Sequence, residues 1–189
     1  CIRDSPISSD RDLTEITATG SVVYKDGDNV AHGTKINYII NLEKYILHGP
    51  SAKVHSSRGT MSAKKQITYN ASDPGKTQVI GLGNASYRGS DGRVVEGDRV
   101  VAFLNFEGAV ESINAVGNAR VVTTEGIIAT ASHLNYFSET DRADLFGNVE
   151  IIDGDNVMRG ARAEVEFDKE ISRLLSDNSG KRVTGVLSQ

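Results

Sequence analysis

Residues 117–147 read GNARVVTTEGIIATASHLNYFSETDRADLFG, and the pentad that opens them, Gly117-Asn118-Ala119-Arg120-Val121, recurs along the chain. Gly147-Asn148-Val149-Glu150-Ile151 follows it, Gly83-Asn84-Ala85-Ser86-Tyr87 precedes it, and Gly20-Ser21-Val22-Val23-Tyr24 stands further upstream. The leading glycines lie 63, 34 and 30 residues apart, which leaves room for one degenerate copy in the long first interval. A period in this range marks stacked supersecondary units, since one unit alone cannot bury its apolar face. Function is therefore sought on a stacked β surface or interior rather than in a single catalytic cleft.

Within each copy, short apolar runs alternate with turn chemistry. Lys25-Asp26-Gly27-Asp28-Asn29, Ser90-Asp91-Gly92, Asp153-Gly154-Asp155-Asn156 and Asn178-Ser179-Gly180 are tight-turn signals, because these residues tolerate positive φ. Each unit thus reads as two strands of about 6–9 residues around a polar turn. Ala161 to Leu175 can be drawn as an amphipathic helix, but its counterparts in the other copies are rich in Val, Tyr, Phe and Asn. Consistency across copies makes it strand. The degenerate copy falls at Ser51–Val79, with Ala52-Lys53-Val54 and Gln66-Ile67-Thr68-Tyr69 as strands and Asp73-Pro74-Gly75 as turn. Arg182 to Leu187 reads as a closing edge strand. Residues 1–14 are a polar lead-in, and 15–189 form one all-β repeat domain.

Counting from each leading glycine sets a register. Positions +2 and +4 hold Val22 and Tyr24, Ala85 and Tyr87, Ala119 and Val121, Val149 and Ile151. Position +18 holds Tyr38, Val101, Asn135 and Val165, and +20 holds Ile40, Phe103, Phe137 and Phe167. Strand side chains alternate between faces, so equal parity predicts one inner face. The expected inner lining is Val22, Tyr24, Tyr38, Ile40, Val101, Phe103, Val121, Phe137, Val149, Ile151, Val165 and Phe167. The opposite parity, with Asn37, Ala102, Tyr136 and Glu166, is predicted to face outward.

Composition excludes several classes. Twenty-one basic against 25 acidic residues give a net charge of −4, with no basic stripe of the kind a nucleic-acid groove needs. Hydrophobic residues make up 38% and Trp is absent, which suits a narrow sheet-lined interior better than a thick core. Cys1 is the single cysteine, so no internal disulfide or thiolate metal site forms. Two readings of Cys1 stay open, a lipidated terminal residue or an incidental one. No run approaches the roughly 20 apolar residues that cross a bilayer as a helix, so the chain is expected to be soluble.

No enzyme constellation is legible. His32, His48, His55 and His133 are scattered over different copies, without the convergent spacing of metal ligands. Gly81-Leu82-Gly83-Asn84 lacks the Lys and Ser or Thr of a phosphate-binding loop. Asp26, Asp28, Asp91, Asp153 and Asp155 shape turns, and the full calcium loop is missing. Ser56-Ser57 has no partnered base. The expectation is no catalytic residue, no metal and no cofactor.

The stretches ATGSVVYKDGDNVAHGTKINYIINLEKYILHG, GNARVVTTEGIIATASHLNYFSETDRADLFG and GNVEIIDGDNVMRGARAEVEFDKEISRLL together resemble the units of the OstA-like family. These are the periplasmic lipopolysaccharide transport proteins of the LptA, LptC and LptD N-terminal kind. Shared elements are Gly-Asn-Val, a turn, an apolar-plus-small stretch, an aromatic and a Leu-x-Gly close, covering roughly Ile16 to Leu187. The resemblance implies an elongated, twisted antiparallel β-jellyroll folded like a taco, with an interior that holds lipid A acyl chains. It further implies a periplasmic, non-enzymatic bridge that moves lipopolysaccharide from inner to outer membrane. The implied partners are LptC-like inner-membrane and LptD-like outer-membrane proteins, with head-to-tail self-association through edge strands. The alternatives are the periplasmic domain of the anchored LptC-like component, or a structural, adhesive β-solenoid without lipid.

Elementary energetics agree with a lipid groove. Each CH₂ removed from water contributes roughly 0.8 kcal/mol, and a continuous apolar lining supplies that surface without demanding fixed geometry. The same residues equally serve a closed core. Lys53, Arg58, Lys64 and Lys65, with Lys76 nearby, are candidate phosphate contacts, against the plainer reading of a solvated basic face.

Overall fold

The computed structural model describes residues 13–73, 75–167, 169, 171–175 and 184–186. Among them lie fourteen strands: β1 (Glu15–Asp26), β2 (Asn29–Ile39), β3 (Lys44–His48), β4 (Ala52–Ser56), β5 (Gly59–Ala63), β6 (Gln66–Asn70), β7 (Thr77–Gly89), β8 (Val94–Leu104), β9 (Val110–Val122), β10 (Ile128–Phe137), β11 (Arg142–Asp153), β12 (Asn156–Glu166), β13 (Ile171–Leu175) and β14 (Thr184–Val186). All join one antiparallel sheet. Within the segment Ala161 to Leu175, residues 161–166 and 171–175 are strand, as the repeat predicts. The Asn178-Ser179-Gly180 turn and residues 1–12 of the lead-in lie outside the described residues. Among those described, no helix is long and apolar enough to cross a membrane.

The long strands β1, β2 and β7 to β12 run 10 to 13 residues, and most shift register near their middle. The cause is local. Gly83 and Asn84 have φ of 82° and 48°, Gly117 and Asn118 74° and 49°, Gly147 and Asn148 75° and 51°. Two successive left-handed residues bulge the strand, and Gly and Asn are the residues that adopt them readily. The recurring Gly-Asn is thus a crease, and each long strand crosses it from one limb of the sheet to the other.

Each limb is completed differently near the N-terminal end. The first limb carries β3 and β6, which pair β2 over Lys35–Ile39 and β7 over Gln78–Leu82. The second carries β4 and β5, which pair β2 over Val30–His32 and β7 over Ser86–Gly89. The circuit β2-β4-β5-β7-β6-β3 therefore closes on itself as a barrel-like core, and β8 to β13 extend it as a folded sheet. Small side chains line the crease, where the limbs converge. Ala115 and Ala119 flank Gly117, and Ala85 sits close to Gly81, where an added Cβ would approach within 2.8 Å.

Beyond β8 the limbs pack into a dry core. Val95, Val100, Val121, Leu134, Leu145 and Ile151 are fully enclosed, from both limbs, in one cluster. The outer faces are polar, with cross-strand ion pairs such as Arg120–Glu96 at 2.9 Å and Arg159–Glu150 at 2.5 Å. Such exposed pairs set the polarity of the face and add little stability.

Candidate ligand chamber

At the N-terminal end the limbs stay apart. Between them lies an open cavity of about 790 Å³, a size typical of pockets for organic ligands. The second limb contributes Tyr24, Ala31, Val54, Met61 and Tyr87, and the first contributes Ile36, Leu47, Ile67, Val79 and Leu104. The walls are apolar, and the polar groups collect at the rim: Asp26, Asp28, Glu43, Ser56, Arg58 and Glu107.

A tyrosine cluster lines one wall. Tyr38 and Tyr45 stack at 4.3 Å between centroids, with Tyr24 at 5.5 Å and Tyr69 at 6.0 Å from Tyr45. Their rings supply apolar area and their hydroxyls supply polar handles, a combination suited to a boundary between apolar and polar surroundings. Hydrogen bonding with Tyr24 and burial hold the Tyr45 phenol above its ordinary value, and burial does the same for Tyr69 and Tyr87. These phenols stay neutral at physiological pH.

Of the predicted lining residues, Tyr24 and Tyr38 reach the chamber. Val22 shares the face of Tyr24 and is half-buried, while Ile40 sits in a 3-10 turn (Ile40–Leu42) at the limb's end. Val121, Val149, Ile151, Val165 and Phe167 point inward but belong to the packed core beyond the chamber.

Val101, Phe103 and Phe137 require correction, for all three lie on the other face. Val100 and Ala102 are the inward residues of β8, and Leu134 and Tyr136 those of β10. Val101 is buried in the outward row with Asn114 and Asn135, and Phe137 is 39% exposed. The physical reason is turn length. The first and last copies turn through two residues, pairing Asp26 with Asn29 and Asp153 with Asn156. The middle copies turn through five, pairing Arg88 with Val94 and Val122 with Ile128. An odd difference in loop length reverses the parity of everything after it. Ala102 and Tyr136, expected outside, accordingly face in.

The basic residues also separate. Arg58, in the β4–β5 turn, stands at the chamber rim and reaches toward the β8–β9 turn, since a Cβ on Gly108 would lie 2.9 Å from its guanidinium. It makes no ion pair among the described residues. Lys53 is exposed on β4, on the side opposite Val54. Lys64 and Lys65 connect β5 to β6 at the crease, where Lys65 packs over Gly83. These three do not border the mouth. His32, His48, His55 and His133 do not converge either; His55 bonds Thr60 at 2.9 Å. Among the described residues no group of three His, Cys, Asp or Glu is placed to hold a metal ion.

The creased antiparallel sheet thus opens into an apolar chamber edged by tyrosines. Residues 87–171 match the family model described as LptA/(LptD N-terminal domain) LPS transport protein. The match spans 85 of the 189 residues, and over them the chain resembles that family. Among solved structures it is similar to LptH, the LptA homologous periplasmic component of the lipopolysaccharide transport device of Pseudomonas aeruginosa. That similarity has a TM-score of 0.52 at 15% identity, covering 59% of this chain and 85% of LptH. No curated protein matches the chain in sequence.

Proposed function

We propose that this chain is a periplasmic carrier that binds lipopolysaccharide through its acyl chains and bridges transport from the inner to the outer membrane. The open apolar chamber between the two limbs is the observation that carries the reading. A scaffold that binds nothing has no use for it, because unfilled apolar surface forgoes the contacts that close packing supplies. Acyl chains lie among Leu47, Val54, Met61, Ile67 and Val79, the tyrosines meet the headgroup boundary, and Arg58 pairs with phosphate at the rim. Single-domain organisation from residue 15 onward, LptC-like and LptD-like partners and joining through the outer strands belong to the same proposal.

Photo-crosslinking tests it. The chain carrying benzoylphenylalanine at Tyr69 is incubated with lipopolysaccharide and irradiated, with Phe137, on the outer face, as control. Label transfer from position 69 and not from 137 is expected. A folded chain that gives no transfer from 69, or equal transfer from both, removes the carrier reading.

A further inference from the structure

Arg93 ends the β7–β8 turn on the second limb, yet its side chain is spent on the first. Its guanidinium carbon lies 5.1 Å from the centroid of the Tyr136 ring and 5.2 Å from that of Phe167. One Nη donates to the Tyr136 hydroxyl, and the other donates to the Asp141 carboxylate at 3.1 Å. The Tyr136 hydroxyl in turn donates to the second oxygen of Asp141 at 3.0 Å. Asp91, on Arg93's own turn, lies 3.4 Å from the guanidinium. The side chain is only 14% exposed, so a cation has been drawn out of water to span the gap between the limbs.

Its position along the sheet matters. The chamber lining ends at Tyr87, Ala102 and Val110. Immediately beyond, Val95, Ile113 and Val121 are buried to 2% or less. Arg93 and its partners lie outside the chamber lining and bridge the two limbs beside this step from open chamber to packed core. Their closure rests on polar contacts as well as packing, and it is incompletely satisfied: the Arg93 Nε is buried without a hydrogen-bond partner. A buried, unpaired donor costs free energy, which leaves the closed state less favoured than a fully bonded one.

We propose that Arg93, Asp141, Tyr136 and Phe167 form a latch across the mouth of the folded sheet. It confines an acyl ligand to the N-terminal chamber and releases when the ligand advances toward β11 to β13. The inference rests on the carrier reading. The apolar interior is continuous through the latch, so opening exposes further lining of the same chemistry without refolding either limb.

The test uses lipopolysaccharide and the full chain with benzoylphenylalanine at one of two sites. Tyr69 reports the chamber, and Met158, half-buried against the core on β12, reports the interior beyond the latch. The native chain should label from 69 alone. Arg93→Ala and Asp141→Asn should keep that labelling and raise transfer from 158 by about tenfold or more, the effect of losing a charge-assisted hydrogen bond. Asp141→Asn preserves side-chain shape and serves if Arg93→Ala does not fold. Transfer from 158 that is already strong in the native chain, or unchanged in a folded variant, overturns the latch. Absence of label from 69 in the native chain removes the carrier reading, and the latch with it.

Discussion

Leu134 and Phe137 are three residues apart on one strand and belong to opposite worlds. Leu134 is fully enclosed between the limbs, whereas Phe137 is 39% exposed on the outside. Leu134→Ala should therefore cost about 2–5 kcal/mol of unfolding free energy in urea titrations, because it leaves a cavity. Phe137→Ala, despite removing the larger side chain, should cost less. The reverse order would show the face assignment of β10 to be wrong. Titration gives a second residue-level test. Burial, offset in part by Arg93, holds the Tyr136 phenol well above its ordinary value of 10.0, and burial raises Tyr87. A phenol whose folded pKa exceeds its unfolded one stabilises the fold fully below the unfolded pKa. That contribution is lost as pH rises past 10 toward the folded value. Stability should fall above pH 10, and Tyr136→Phe should flatten the decline in urea midpoints measured across that range.

At the scale of the element, the crease decides the architecture. Gly147 and Gly154 both have positive φ, at 75° and 58°, yet an added Cβ at Gly147 meets the Ser132 hydroxyl at 2.9 Å while Gly154 faces open space. Each Gly→Ala change costs roughly 1–2 kcal/mol for the left-handed backbone. Gly147→Ala should cost more than Gly154→Ala in thermal unfolding, because Ser132 must also yield. Equal costs would mean that the crease tolerates side chains and that the Gly-Asn repeat is not structural. That repeat is the part of the fold most plainly legible in the sequence, since a glycine that fixes a bulge must recur wherever the bulge does. The strand pairs and the turns at Asp26–Asn29 and Asp153–Asn156 were legible for the same reason. What a fixed count from each glycine could not convey was the two middle five-residue loops, which moved Val101, Phe103 and Phe137 outward and brought Ala102 and Tyr136 in. Comparing loop lengths between copies carries that signal. The chamber itself was hidden more deeply. It arises because β3 to β6 each serve only one limb, a property of long-range pairing that no local pattern records. Arg93 gave no sign in the sequence, for its partners lie 43 and 48 residues away.

On the whole molecule, the sheet has two ends with different finishes. β1 pairs only β2 among the described strands, and its side chains are mostly exposed, Ile16 by 49% and Val23 by 55%. At the other end β12 is covered by β13 over Arg162–Glu166 and by β14 over Val157–Arg159. An unpaired strand edge presents N–H and C=O groups that another chain can extend. Joining β1 of one copy to the β13–β14 end of the next is heterologous, so it propagates as rods rather than closing into a ring, and it would run the interiors of successive copies end to end. A transport bridge needs such continuity. The full chain should accordingly show weight-average mass rising with concentration in sedimentation velocity. Truncation after Ser179 removes β14, and Ile16→Lys with Val23→Lys charges β1. Each should hold the chain at monomer mass with its strand-rich circular dichroism retained. Association that persists in both variants would assign the joint to another surface. Loss only on truncation would place it at the C-terminal end without β1, and the continuous bridge would then need a different donor strand, from an LptC-like or LptD-like partner.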